Sequence, residues 1–317
     1  GGWENFKLKY FDLTSYFQAQ NRELNDIRSQ NANLTQSSPI KLTELLNGGP
    51  PKDGIPSIDQ PKFDNAKTTP FKLEETVIGV VINGEAKAYP LGIMNWHEIV
   101  NDSLDRTNLT VSYCPLCDTI VVFERSNTTY GVSGKLYQSC LVMYDRSDDT
   151  LYSQPWAMGI VGKQVNQNLR RIPAVKTSLG NWLKKYPNSQ ILSIRTGYQR
   201  DYQNYSYGSY YTDKKIIFPV RNQANLTTYP KAIISYIWEA DNQTPPDTFS
   251  GASRQFNHQK LAELKTQVLE FNGRKIKASW DEELATVIVT EMNGKIIPSS
   301  TAFAFVYPAY FNSNLKN

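Results

Sequence analysis

The chain has 317 residues, enough for one large domain or two of ordinary size. Hydrophobic residues make up 40% and charged residues 20%, a balance typical of a folded protein and not of a disordered one. The net charge is only +4, so no basic surface for nucleic acid is expected. The apolar stretches are far shorter than the roughly 20 residues of a membrane helix, so no transmembrane segment is expected either.

The first 50 residues differ in composition from the rest and are predicted to form an N-terminal extension. Residues 10–28 have weak helical periodicity, a polar stretch follows, and Gly48-Gly49-Pro50-Pro51 ends the segment. An apolar stripe on such an arm favours self-association, for instance by adding to a neighbour's sheet. The chain opens with Gly-Gly-Trp and shows no signal peptide, so we expect a processed or trimmed N terminus.

From residue 75 onward the sequence predicts short strands. Residues 76–82 and 86–89 flank an Asn83-Gly84 turn, which is typical of a β-hairpin, and residues 91–100 have the spacing of a short helix. Further strands are predicted at residues 109–113, 119–124, 130–134 and 141–145. We therefore expect a mostly β (α+β) fold with short helices.

Two parts of the sequence resemble each other, and chance similarity of β-branched runs is the alternative to a true repeat. Ser112-Tyr113 and residues 119–124 align without a gap with Ser279-Trp280 and residues 286–291, and a helix-like segment with His97 or His258 precedes each match. The pattern predicts a duplicated β-rich module, with a first copy at residues 51–212 and a divergent second copy at residues 213–317. The second copy has Asp281 and Leu284 in place of Cys114 and Cys117, so we expect the function to reside in the first copy.

Cys114 and Cys117 form a Cys-x-x-Cys motif between two predicted strands. A turn of this kind holds two sulfurs on one side, and His97 and Cys140 are the candidate further ligands of a zinc or copper site. For His97, a hydrogen-bonded histidine of the core is the alternative. A Cys114–Cys117 disulfide, structural or redox-active, and inert reduced thiols are the alternatives. A thioredoxin-type motif would start a helix, whereas β-branched residues follow here.

Small sequence features favour a location outside the cytoplasm, secreted or at the cell surface. The content of Tyr, Asn, Gln, Ser and Thr is high, which suits a solvent-facing protein outside the cell. Three Cys are too few for a disulfide scaffold. Chance is the alternative explanation for Asn-x-Ser/Thr sequons in such a composition, whereas glycosylation would place them on surface loops. The sequons lie at Asn33, Asn101, Asn108, Asn127, Asn204, Asn225 and Asn242.

Several ordered motifs between residues 53 and 311 together resemble the domain of unknown function (DUF) 3179 family. They include Asp53-Gly54-Ile55-Pro56, Asn95-Trp96-His97-Glu98, Tyr113-Cys114-Pro115-Leu116-Cys117 and Leu141-Val142-Met143-Tyr144-Asp145-Arg146. The resemblance implies that the His97 and Cys-Pro-Leu-Cys segments belong together, and it implies export but no activity. This chain has Asp118 where the family usually has Gly, and Cys140 where the family tends to have an acidic or amide residue.

Three functions stay open at this point, and the sequence does not decide whether the protein is an enzyme. The first is a secreted or surface protein with a thiolate and His metal site for copper or zinc. The second is a surface assembly subunit, of a filament or coat, that uses the N-terminal arm. The third is an extracytoplasmic thiol oxidoreductase that uses Cys114 and Cys117 as a redox pair.

Overall fold

The structure is a computed structural model that describes residues 13–31, 38–223, 226, 229–240 and 249–311. Within these ranges the α-helices are α1 (Leu13–Asn31), α2 (Leu91–His97), α3 (Leu179–Lys185), α4 (His258–Leu264) and α5 (Val306–Phe311). The first strands are β1 (Leu45–Asn47), β2 (Phe63–Asp64), β3 (Thr76–Ile82), β4 (Glu85–Pro90), β5 (Ile99–Leu104), β6 (Thr107–Cys114) and β7 (Thr119–Glu124). Next come β8 (Tyr130–Tyr137), β9 (Cys140–Asp145), β10 (Leu151–Ser153), β11 (Met158–Val161), β12 (Arg171–Ile172), β13 (Ala174–Ser178) and β14 (Gln190–Leu192). The last are β15 (Ile233–Ala240), β16 (Gly251–Asn257), β17 (Thr266–Phe271), β18 (Arg274–Asp281), β19 (Thr286–Glu291) and β20 (Ser300–Phe303).

The predicted mostly β fold is confirmed, because short strands outnumber helices throughout the described ranges. The predicted hairpin is β3–β4, and its turn residues Asn83 and Gly84 have φ values of 49° and 86°. Both angles lie in the left-handed region that a type I′ turn requires, which explains why Asn-Gly stands there.

The predicted helix at residues 91–100 is too long by three residues. Helix α2 ends at His97 because Glu98 adopts a left-handed conformation with φ of 59°, and its backbone N–H caps the carbonyl of Met94. Strand β5 begins directly after it, at Ile99. The apolar residues that suggested a longer helix are therefore buried strand residues.

The strands form five sheets, with the orders β1-β8-β9-β10-β11, β12-β7-β6-β5, β13-β3-β4-β14-β2, β16-β15-β20 and β17-β18-β19. The largest apolar core contains all three cysteines together with residues of β8, β9, β15, β20 and α5. Strands from both predicted modules thus contribute to the core around the cysteines. The boundary between the modules at residue 212 stays a prediction.

None of the described helices combines the length and the apolar character that crossing a membrane requires.

Candidate functional site

The Cys-x-x-Cys motif forms the tip of the β6–β7 hairpin. Cys114 ends β6 and pairs with Thr119 at the start of β7, and Cys117 lies in the loop between them. Asp118 adopts a left-handed conformation with φ of 51°, which a turn of this shape needs and which Asp tolerates better than most residues. The hydroxyl of Tyr113 donates to Oδ1 of Asp118 at 2.9 Å, and Lys176 forms an ion pair with the same carboxylate.

Cys140 joins the two thiols of the motif from the neighbouring sheet. It is the first residue of β9, directly after Gln138 and Ser139, whose positive φ values form the turn from β8. The three thiols form hydrogen bonds with one another and are almost fully buried. The structure therefore places Cys140 together with the Cys-x-x-Cys pair, as the sequence predicted.

Burial and hydrogen bonds shift the pKa values of the three thiols in different directions. Burial alone raises the pKa of a thiol, but the thiols of Cys117 and Cys140 and the backbone N–H of Leu141 all donate to Cys114. These bonds hold the pKa of Cys114 well below its usual range, whereas burial raises the pKa of Cys117 and Cys140. Cys114 is thus the most acidic thiol of the three.

Cys114 also lines a cavity of about 390 Å³, a size typical of small-molecule sites. Neither Cys117 nor Cys140 is among the lining residues. The walls are largely apolar, and they include Pro50, Pro56, Leu116, Val132, Leu141 and Phe218. A small apolar molecule in the cavity would therefore lie against Cys114 and against neither of the other two cysteines.

Glu98 lies in the same cavity, and sequence reasoning did not single it out. Its carboxyl group is buried, and the hydroxyl of Tyr207 donates to Oε1 at 3.4 Å. Burial and the neighbouring Cys114 both raise the pKa of Glu98, so its carboxyl group holds its proton more firmly than an ordinary carboxyl group does. Its place directly after His97, in a motif that the sequence resemblance had already selected, was the available signal.

The ring of His97 forms its hydrogen bonds with groups other than the cysteines. Nδ1 donates to the carbonyl of Pro56 at 2.7 Å, because a carbonyl can only accept, and Nε2 accepts from the hydroxyl of Tyr202 at 2.8 Å. Burial lowers the pKa of His97 to about 4, so the ring is neutral. Both ring nitrogens are used, and neither forms its hydrogen bond with a cysteine.

No group of three or more His, Cys, Asp or Glu side chains in the described part of the chain has the arrangement of a metal site. The predicted ligand set of His97 with the three cysteines is therefore not brought together. The thiols meet, but the imidazole does not join them.

A family model for DUF3179, described as a protein of unknown function, matches residues 52–297. This chain belongs to that family. The match includes the three cysteines, Glu98 and His97, so the site lies within the DUF3179 region. Comparisons with curated proteins and with solved structures give no match.

Helix α1 lies outside the DUF3179 match and packs against the wall of the cavity. Glu23 forms an ion pair with Lys135, and the side-chain amide of Gln20 donates to the carbonyl of Pro50 at 3.3 Å. Leu24 is buried in the core that contains the cysteines. The described part of the extension is thus docked on its own chain, and self-association through the arm stays a prediction.

The sequons differ in accessibility. Asn108, Asn127 and Asn204 are exposed, whereas Asn33, Asn225 and Asn242 lie outside the described residues. Asn101 is 1% exposed, and its amide donates to Asp59 and to the carbonyl of Tyr130. The nitrogen that would carry a glycan at Asn101 is therefore enclosed in the folded protein, and glycosylation at the sequons stays a prediction.

Proposed function

We propose that this DUF3179 protein is a thiol oxidoreductase in which the Cys114 thiolate attacks a disulfide bound in the cavity. The observation that carries the proposal is that Cys114, the thiol whose pKa is lowered by the hydrogen bonds of the cluster, also lines the cavity. Nucleophilic thiols are typically thiolates in partly accessible sites, and the cavity supplies that access within an otherwise buried group.

The chemistry needs only groups that the site contains and an organic disulfide as substrate. The Cys114 thiolate forms a bond to one substrate sulfur, the substrate S–S bond breaks, and the leaving thiolate takes the proton of Glu98. A neighbouring thiol, Cys117 or Cys140, then attacks Cys114 and releases the second half of the substrate as a thiol. The substrate is reduced to two thiols, and the protein retains one disulfide.

Reaction with a chromogenic aromatic disulfide, dithionitrobenzoate, tests this sequence of steps. In the native wild-type protein we expect two equivalents of thionitrobenzoate and an intact mass that is lower by two hydrogen atoms, without an adduct. Cys114→Ser is expected to release none before denaturation. One of the variants Cys117→Ser and Cys140→Ser lacks the thiol that attacks the mixed disulfide at Cys114. That variant should keep a stable thionitrobenzoate adduct, which identifies the attacking thiol.

Two results would contradict the proposal. One is a native wild-type protein that releases no thionitrobenzoate until it unfolds. The other is a Cys114→Ser variant that reacts like the wild type. Glu98→Gln serves as a further check, because it keeps the shape of the side chain but removes the proton that the leaving group needs, and it should slow the first release.

A second candidate function is binding of copper as Cu(I) between two thiols, and the hydrogen bonds from the thiols of Cys117 and Cys140 to Cys114 favour it. Thiolates are the ligands that soft metal ions prefer, and burial protects such an ion from water. Zinc is a poorer match, because structural zinc takes four ligands and His97 is engaged elsewhere. Titration with Cu(I) under reducing conditions should show about one equivalent in the wild type and a large loss in Cys117→Ser. Equal binding by both proteins would exclude this site.

We propose an extracytoplasmic location, secreted or at the cell surface. The exposed sequons at Asn108, Asn127 and Asn204 support it, and a disulfide-forming centre suits an oxidising compartment. Fractionation of the native host, followed by detection of the protein and of glycans at these residues, tests the location. Recovery in the cytoplasm alone would overturn it.

A further inference from the structure

Lys135 is a buried cation in the wall of the cavity. It lies in β8, and only 1% of its side chain is exposed. A buried ammonium group is costly unless an anion pairs with it.

The anion that pairs with Lys135 comes from outside the DUF3179 match. Oε2 of Glu23, in helix α1, lies 2.8 Å from Nζ of Lys135, and 44% of the Glu23 side chain is exposed. No other acidic side chain of the described residues forms an ion pair with Lys135. The matched region therefore contributes a cation to the cavity wall, and the extension contributes the carboxylate.

We propose that the cavity binds an apolar molecule that carries a carboxylate, and that this carboxylate pairs with Lys135 in place of Glu23. The apolar part would pack on side chains such as Leu116, Val132 and Leu136, which line the same cavity. The proposal rests on the cavity of the proposed function and names its substrate class, an apolar disulfide with a carboxylate. It does not depend on whether Cys114 reacts.

Isothermal titration calorimetry with decanoate and with decanol, on the full chain, tests this inference. The two probes share an apolar tail and differ in charge, and neither contains a disulfide. The variants are Glu23→Gln, which frees Lys135, and Lys135→Gln, which removes the cation. Lys52→Gln is the matched control, because that lysine pairs with Asp149 at an exposed position.

We expect the wild type to prefer decanoate, and Glu23→Gln to bind decanoate about tenfold more tightly with decanol unchanged. Lys135→Gln should bind the two probes equally, and Lys52→Gln should behave like the wild type. Equal affinity for both probes in Glu23→Gln would overturn the proposal, as would no binding at all. Loss of the preference in Arg200→Gln and not in Lys135→Gln would also overturn it, because Arg200 is another cation that lines the cavity.

Failure of this inference and failure of the proposed function are distinguishable. The reaction of Cys114 with dithionitrobenzoate can be measured in Glu23→Gln and compared with decanoate binding by the same protein. Selective binding with an inert Cys114 would reject only the oxidoreductase. A reactive Cys114 without selective binding would reject only the carboxylate site.

Discussion

Two segments of the chain share one arrangement of elements but differ in chemistry. The first segment has the element order β3–β4–α2–β5–β6–β7. The second segment has the order β15–β16–α4–β17–β18–β19, with its helix and strands at the same places. The two helices are equal in length, as are the three strands that follow each of them, and the same antiparallel pairings connect those strands. The same order of elements thus carries the Cys-x-x-Cys motif in the first segment, whereas the second segment contains no cysteine.

The special backbone conformations occur at matching points of the two segments. Glu98 and Lys265 both end their helix with a positive φ, and Asp118 and Ala285 both have a φ near 50° directly before the last strand. The backbone N–H of Trp280 donates to the carbonyl of Lys265, and the backbone N–H of Tyr113 donates in the same way to the carbonyl of Glu98. The left-handed conformation of Glu98 therefore belongs to the scaffold, and only its buried carboxyl group is particular to the site.

The two hairpin tips differ in what surrounds them. Cys114 is buried against β9 and the cavity, whereas Asp281 is partly exposed and pairs with Lys185 at 3.0 Å. The histidines are not equivalent either, because His97 ends α2 and His258 begins α4. The comparison teaches that the surroundings of the hairpin, and not its backbone, create the thiol site.

Exchange of the equivalent residues should give the largest effect. Cys114→Asp replaces a buried sulfur that accepts hydrogen bonds from two thiols and from the N–H of Leu141 with a carboxylate of different size and shape, and we expect it to lower the free energy of unfolding by about 4 kcal/mol. Asp281→Cys loses a partly exposed ion pair and a hydrogen bond to the backbone of Leu284, so a loss of about 1 kcal/mol is expected. Urea unfolding of both variants measures the difference. Similar losses would mean that the two tips have similar surroundings after all.

Acid should destabilise the protein through both histidines. The pKa of His97 and that of His258 are each lowered to about 4 by burial, so the unfolded chain binds more protons below pH 6.5. The free energy of unfolding therefore falls as the pH is lowered from 6.5 to about 4, by up to about 3 kcal/mol for each histidine. His97→Asn and His258→Asn should each flatten the dependence of the unfolding free energy on pH by this amount. An unchanged slope in either variant would show that its histidine titrates normally.

The smallest expected effect concerns the two left-handed residues before the last strand of each hairpin. Ala285→Gly should stabilise the protein by about 1 kcal/mol, since glycine adopts a positive φ without strain. Asp118→Gly gains the same relief but loses the bonds to Tyr113 and Lys176, so no gain in stability is expected there. Thermal unfolding of the two variants compares them directly. A stabilised Asp118→Gly variant would show that these bonds contribute little.

Local patterns in the sequence predicted the strands and the turn motif well. Asn83-Gly84 has the residues that a type I′ turn requires, and Cys140 could be placed near the Cys-x-x-Cys motif because each lies at the end of a strand. The tolerance of Asp118 for a left-handed conformation was also foreseeable from its side chain. These features depend on neighbouring residues, which a sequence displays directly.

The parts of the site that sequence reasoning missed depend on distant contacts. His97 is bonded to Pro56 and Tyr202, so it could not be recognised as engaged from its helix alone. Glu98 becomes an acid of the site only because Tyr207 and Cys114 surround it. The burial of Asn101 likewise depends on Asp59 and Tyr130. No local pattern contains this information.

The proposed reaction requires the sulfur of Cys114 to ionise at a lower pH than the other two sulfurs. Alkylation by iodoacetamide across a range of pH, with each modified cysteine identified by peptide mass spectrometry, measures this most directly. We expect Cys114 to react first and to reach half of its maximal rate at a pH well below the ~8.5 of an ordinary cysteine. A midpoint at or above that value, or faster reaction of Cys117 or Cys140, would contradict it.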